Sequence, residues 1–154
     1  MPGRFESVEL GQPFAVIVDY AHTPDSLVNV LQAARGLGDG RLIVVFGAGG
    51  DRDREKRPLM GRAAAENSDR AIVTTDNPRS EDPAAIAEQV AHGKLEVILD
   101  RRAAIEAALA DAQRGDVVVI AGKGADTEME LADRSVPFDD KDVARTVLSR
   151  QMRS

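Results

Sequence analysis

Cysteine and tryptophan are absent from this 154-residue sequence, and with one tyrosine and four phenylalanines its aromatics amount to 3%. The missing thiols exclude disulfides and thiolate metal sites. Alanine, valine, isoleucine and leucine supply most of the 43% hydrophobic content, which suits helices packed on aliphatic strands better than an aromatic-rich β-sandwich. No apolar run reaches the ~18 residues of a membrane span, and no charged-then-apolar leader opens the chain. A basic excess is missing too: 26 acidic against 20 basic side chains give a formal charge of -6, so no overall positive field exists to attract phosphate backbones or anionic lipid. The expectation is a soluble cytoplasmic protein with neither nucleic acid nor membrane as partner. Its length fits one domain with one core.

What is present is a regular alternation. The segments FAVIV (14–18), RLIVVF (41–46), AIVT (71–74), LEVIL (95–99) and DVVVIA (116–121) are short β-rich runs without polar alternation, as strands covered on both faces read. Between them Leu27, Val30, Leu31 and Ala34 repeat with helical spacing, as do Ile105, Ala108, Leu109 and Ala112. PLMGRAAAEN (58–67), PAAIAEQVA (83–91) and DVARTVL (142–148) are further helix candidates. Strand and helix in this order predict right-handed βαβ units and an open, doubly wound, Rossmann-like α/β sheet, mostly parallel, with flanking helices. The opening MPGRFESVELGQP holds a candidate strand, RFESVEL, and reads as the exit from a preceding domain.

Ligands on such sheets bind at the carboxyl ends of the strands, and there the unusual polar residues cluster. In DYAHTPDSL, Thr23, Pro24 and Asp25 make a helix start. Asp19, Tyr20 and His22 are not needed for that cap; an acid at a strand end suits ribose hydroxyls, and Tyr or His can stack on a base or reach a phosphate. GAGGDRDREKRP (47–58) is a glycine-rich turn whose backbone can lie close to an anion, or a plain tight turn with a solvated charge run. It fits neither the dinucleotide fingerprint nor a P-loop. Arg52 and Arg57 are its candidate carboxylate clamps, since a guanidinium binds that group through two parallel hydrogen bonds. TDNPRSEDP (75–83) is either a local Asp-Asn-Pro turn or a zwitterion reader, with Arg79 on a carboxylate and Asn77 or Asp76 on an ammonium. In AGKGADTEME (121–130), Lys123 reads as an exposed loop lysine that can attract an anion, and His92 as an ordinary loop residue.

Together PGRFE, VDYAHTPDSL, VVFGAGGDRDREKRPLMG, VTTDNPRSEDP, AGKG and FDDKDVAR resemble, in order, the blocks of the C-terminal domain of the Mur ligases, in particular the MurE type. The resemblance spans residues 2 to 145 and implies an ATP-dependent ligase of peptidoglycan synthesis. In that family ATP phosphorylates a peptide carboxylate and the amine of an incoming amino acid attacks the acyl phosphate. It further implies that Arg4 and the DYAHTP loop close over the nucleotide, with Asp19 on the ribose and Tyr20, His22 and Thr23 near the adenine and phosphates. Arg52, Asn77 and Arg79, with Asp76 and Gly122, would hold the amino acid.

An Asp-Asn-Pro-Arg turn is the pattern of ligases that add meso-diaminopimelate to UDP-MurNAc-L-Ala-D-Glu, and Arg79 is suited to its second carboxylate. On that reasoning a buried Arg left unpaired would disfavour lysine by several kcal/mol. The chain departs from the family where Gly-Lys-Gly-His-Glu becomes Gly-Lys-Gly-Ala125-Asp126. The acid for the distal ammonium is then Asp126, one methylene shorter, or Glu128. Neither a P-loop nor the lysine and carboxylates that hold Mg2+ in the family's central domain occur in these residues. The expectation is therefore a single domain over residues 1–154 that acts with upstream ligase domains and neither hydrolyses ATP nor forms the amide unaided. A non-catalytic binding or regulatory module, or a relative such as a folylpolyglutamate synthase, is the alternative; the DNPR turn argues against the latter.

Overall fold

The computed structural model describes residues 3–153. Its elements are β1 (Glu6–Ser7), β2 (Ala15–Asp19), α1 (Pro24–Arg35), β3 (Leu42–Phe46), α2 (Lys56–Asn67), β4 (Arg70–Val73), α3 (Pro83–Ala91), β5 (Glu96–Val97), α4 (Arg101–Asp111), β6 (Val117–Ala121), β7 (Glu128–Glu130), β8 (Ser135–Pro137) and α5 (Asp140–Arg153). Six strands form one sheet in the order β1-β2-β6-β3-β4-β5. All pairs are parallel except β1 with β2. β7 and β8 form a separate antiparallel hairpin.

The absence of alternation in the central strands has a direct cause. In β3, Leu42, Val44 and Phe46 pack on α1, α2 and α3, while Ile43 and Val45 pack on α4 and α5. β6 divides in the same way, Val117, Val119 and Ala121 to one face and Val118 and Ile120 to the other. Each residue of both strands is buried, because both faces are covered. The helical repeat Leu27, Val30, Leu31 and Ala34 is the buried face of α1. Thr23 caps that helix, its hydroxyl accepting from the Ser26 amide at 3.2 Å while the Ser26 hydroxyl accepts from the Thr23 amide at 3.0 Å, a reciprocal capping box.

Three expectations need correction. LEVIL is not a strand covered on both faces: β5 is two exposed residues paired, among the described residues, with β4 alone, because it is the sheet edge; Leu95 and Ile98 on either side of it pack on the two core faces. RFESVEL contributes only Glu6–Ser7 as a strand, followed by buried Val8. Ala112 lies beyond the end of α4 and serves as its C-cap.

α2 and α3 approach closely at Gly61, where a Cβ would stand 2.0 Å from the Val90 carbonyl oxygen. Alanine favours a helix over glycine by about 1 kcal/mol, but here the added methyl must push two helices apart, at about 1–3 kcal/mol. Gly61→Ala is expected to lower the urea midpoint; an unchanged or raised midpoint would show that the helices can separate freely.

The winding sets the site. β2 and β3 lead into the helical layer of α1 and α2, whereas β6, which lies between them, leads on to α5 in the opposite layer. Crevices at the carboxyl end of β6 are the place where such sheets take ligands.

Candidate functional site

The loops that follow β2, β3, β4 and β6 converge at this edge around a cavity of about 290 Å³. Tyr20, His22, Thr23, Arg52, Asp76, Asn77, Arg79, Gly122 and Asp126 all line it. Arg4 and Asp19 stand outside the lining but join it through Tyr20: the Arg4 guanidinium lies 5.6 Å from the Tyr20 ring centroid, and Tyr20 meets His22 edge to face at 4.7 Å. Arg4, Tyr20 and His22 are exposed, so this side of the cavity is a cationic and aromatic rim suited to stacking on a flat ring.

Two residues of this side are already committed. Asp19 accepts from the amides of Phe5 at 2.7 Å and Ala21 at 2.9 Å, which ties the segment before β1 to the end of β2. The Thr23 hydroxyl is spent on its cap. His22 Nδ1 sits 2.9 Å from the Tyr20 carbonyl oxygen; a carbonyl only accepts, so Nδ1 is the donor of that bond.

The glycine-rich loop lies flat on the DNPR turn. A Cβ at Gly50 would fall 1.8 Å from the Pro78 carbonyl oxygen, and the Gly50 amide donates to the Asn77 carbonyl at 2.9 Å. The loop's glycines thus serve backbone-to-backbone contact between the ends of β3 and β4. Arg57 needs a larger correction, because it is no ligand clamp but an internal one. Buried to 1% exposure, it grips Glu81 through Nη1 at 3.1 Å and Nη2 at 2.6 Å and also donates to Gln89 and the Gly49 carbonyl. Glu81 in turn accepts from the Asp51 amide at 2.6 Å. These hydrogen bonds hold the Glu81 carboxyl at a pKa of about 2. Arg52, by contrast, is exposed at the cavity and, among the described residues, bonds only the Asp51 carbonyl, at 3.2 Å.

Asn77 and Arg79 have φ of 40° and 52°. The left-handed region is tolerated by Asn and costs Arg about 1–2 kcal/mol, and tertiary contacts hold them there. The Asn77 side-chain oxygen accepts from the Glu130 amide at 3.0 Å. The Arg79 amide donates to the Glu130 carbonyl at 3.1 Å. Arg79 Nη1 donates to the Gly50 carbonyl at 2.9 Å, and Nη2 lies 2.9 Å from the Glu130 carboxylate. Arg79 is 22% exposed and already paired, so a ligand without a second carboxylate does not leave it orphaned. The several-kcal/mol penalty expected against lysine is therefore too large.

Below the rim lies a buried charge cluster that reading by residue type missed. Arg101 holds Asp140 with Nε and Nη2, both at 2.8 Å, and donates to the carbonyls of Thr75 and Ala121 at 3.1 Å. Lys123, expected to be an exposed loop lysine, is fully buried. Its ammonium donates to the Glu128 carbonyl and reaches the Asn77 side chain at 3.4 Å. Burial pushes the Asp76 carboxyl up, against the pull of Arg101 and Lys123. Burial pushes the Lys123 ammonium down, with Asp76 opposing. No sequence signal separates these buried cations from exposed ones. His92 is a left-handed helix C-cap at the end of α3.

Residues 3–124 match the family described as "Mur ligase, glutamate ligase domain". A UDP-N-acetylmuramoyl-L-alanyl-D-glutamate–2,6-diaminopimelate ligase of Solibacter usitatus is 54% identical over 96% of this chain and 31% of its own length. A ligase of the same name from Syntrophomonas wolfei is 57% identical over 96% of this chain and 32% of its own. This chain thus spans about a third of the length of these relatives. A solved structure of a UDP-N-acetylmuramoyl-L-alanyl-D-glutamate–2,6-diaminopimelate ligase superposes with a TM-score of 0.92 at 41% identity, covering 100% of this chain and 33% of that one. A bifunctional folylpolyglutamate synthase/dihydrofolate synthase from Yersinia pestis, complexed with AMPPNP and Mn ion, shares the fold at a TM-score of 0.64 and 21% identity over 98% of this chain and 32% of that one.

Proposed function

The chain belongs to the Mur ligase family through its glutamate ligase domain, and from that premise we propose that it is the C-terminal, amino-acid-binding domain of an ATP-dependent peptidoglycan ligase. The reading is that the complete enzyme joins meso-diaminopimelate to UDP-MurNAc-L-Ala-D-Glu in the cytoplasm, with this domain closing onto upstream domains. The observation that carries it is the convergence of Arg52, Arg79, Asn77, Asp76 and Asp126 on one cavity, which offers both signs of charge to a ligand that itself carries two ammonium and two carboxylate groups.

On this reading Arg79 takes the second carboxylate, through the charge-assisted contact a guanidinium makes best, and Arg52 is free for the other. Asp126 is the acid at the cavity mouth for the distal ammonium, and Gly122, beside Asp76, keeps that wall low. The domain's share of the chemistry is to bind and orient the attacking amine. ATP supplies the phosphoryl group that activates the dipeptide carboxylate; Arg4, Tyr20 and His22 give it a face to stack on, with Asp19 and Thr23 shaping the loop that carries them. Among the described residues no three His, Asp or Glu side chains gather as a metal site. The reading assigns Mg2+ to the central domain. No helix among these residues is long and apolar enough to cross a membrane.

Arg79→Ala in the complete ligase tests this. The KM for meso-diaminopimelate should rise roughly 10- to 100-fold, the worth of a charged hydrogen bond, with the KM for ATP unmoved. Unchanged amino-acid KM, or equal rates of the unaltered enzyme with diaminopimelate and lysine, would sink the assignment.

A further inference from the structure

Resting on the amino-acid reading of this site, we propose that Glu130 is an internal stand-in for the ligand's second carboxylate: it occupies Arg79 in the empty site, gives way to diaminopimelate, and thereby sets amino-acid selectivity. Glu130 lies on β7, outside the loops that supply the other candidate contacts, and its carboxylate reaches Arg79 Nη2 at 2.9 Å.

The geometry favours exchange over a permanent clasp. The Glu130 carboxylate meets Arg79 Nη2 at 2.9 Å as an ion pair without aligned hydrogen-bond geometry, and its side chain is 51% exposed. Arg79 Nη1 is spent on the Gly50 carbonyl at 2.9 Å, with the Asn77 carbonyl at 3.5 Å. Nε forms no hydrogen bond among the described residues, so the Nε and Nη2 edge can still grip a carboxylate with two parallel bonds, which outcompete one. The backbone of Glu130 is held independently, its amide on the Asn77 side chain at 3.0 Å and its carbonyl on the Arg79 amide at 3.1 Å. The side chain can therefore swing away while the β7–β8 hairpin stays docked on the DNPR turn.

The consequence for selectivity has an unusual sign. Lysine, which lacks the second carboxylate, leaves the Arg79–Glu130 pair intact and forfeits only the gain from exchanging an unaligned ion pair for a partner held by two parallel hydrogen bonds. Glu130 thus softens discrimination against lysine. Removing its charge leaves Arg79 unpaired in the empty and lysine-bound states alike, and paired only with diaminopimelate.

The test is Glu130→Gln and Arg79→Ala made separately in the complete ligase, with KM and kcat measured for meso-diaminopimelate and for lysine. Glu130→Gln is expected to lower the KM for diaminopimelate roughly two- to five-fold, the worth of a partly exposed ion pair. kcat and the KM for lysine should hold, so selectivity widens. A raised KM for diaminopimelate would make Glu130 a positioning residue for Arg79 and overturn the proposal, and an unchanged KM would make the pair a spectator and overturn it equally. If Arg79→Ala raises the KM while either of those results holds, only the stand-in role fails. If Arg79→Ala leaves it unmoved, the amino-acid reading fails with it.

Discussion

Asp140→Ala is expected to cost the domain about 3–5 kcal/mol, because it leaves the Arg101 guanidinium buried without its counter-charge. The two side chains are 1% and 0% exposed and are joined by two bonds of 2.8 Å. Against a typical stability of about 5–15 kcal/mol that is a large fraction. Arg101 also binds the carbonyls of Thr75, just after β4, and Ala121, at the end of β6, while Asp140 begins α5. The pair therefore ties the starts of α4 and α5 to the ends of β4 and β6 beneath the cavity, and its loss should loosen the rim as well as the core. Urea denaturation at neutral pH checks the magnitude. Arg101→Met with Asp140→Leu, which removes both charges, should recover most of the loss; if the double variant is as unstable as Asp140→Ala, packing and not the orphaned charge is the cause.

Glu81→Gln is expected to be nearly as damaging, at about 3 kcal/mol, and to change the response to acid. One Glu81 oxygen accepts from both Arg57 Nη2 and the Asp51 amide at 2.6 Å. A glutamine must either point its amide hydrogens at those donors or turn them on Arg57 Nη1, and it leaves Arg57 charged and buried in both cases. The folded-state pKa of Glu81 is depressed from 4.5 to about 2. A depressed carboxyl contributes stability that is complete above the unfolded value and lost as pH falls through the folded one. The contribution is therefore whole above about pH 4.5 and fades toward pH 2. The wild-type urea midpoint should drop across that window by more than the midpoint of the variant. Parallel losses in both would assign the acid sensitivity to other carboxylates, such as Asp69, Asp111 and Asp116, which hydrogen bonds and ion pairs also hold low.

The layered sheet was legible because period and burial coincide there. Val, Ile and Leu without alternation in β3 and β6 read as strands covered twice, and Leu27, Val30, Leu31 and Ala34 as one face of a helix. LEVIL carries the same signal but lies at the sheet edge, and edge position is a property of topology that its own residues do not encode. The β7–β8 hairpin was missed because strands of three residues are too short to show a period. In the site, the DYAHTP loop and the DNPR turn stood out because residues of odd chemistry sat at strand ends, and of these Tyr20, His22, Thr23, Asp76, Asn77 and Arg79 line the cavity with Gly122, which the family resemblance alone singled out. The burial of Arg57, Arg101 and Lys123 was not legible, since sequence shows a cation's charge and not whether Glu81, Asp140 or a backbone carbonyl will bury it. Glu130 was invisible for a related reason: it meets Arg79 through pairing that spans 51 positions of sequence, with nothing local to announce it.

The most direct measurement of the central claim is the crystal structure of the complete ligase with meso-diaminopimelate bound. The account predicts the amino acid in the cavity between the ends of β3, β4 and β6, its second carboxylate on the Nε and Nη2 edge of Arg79 and Glu130 turned away. Diaminopimelate bound outside that cavity, or within it with Arg79 still on Glu130, would contradict the account.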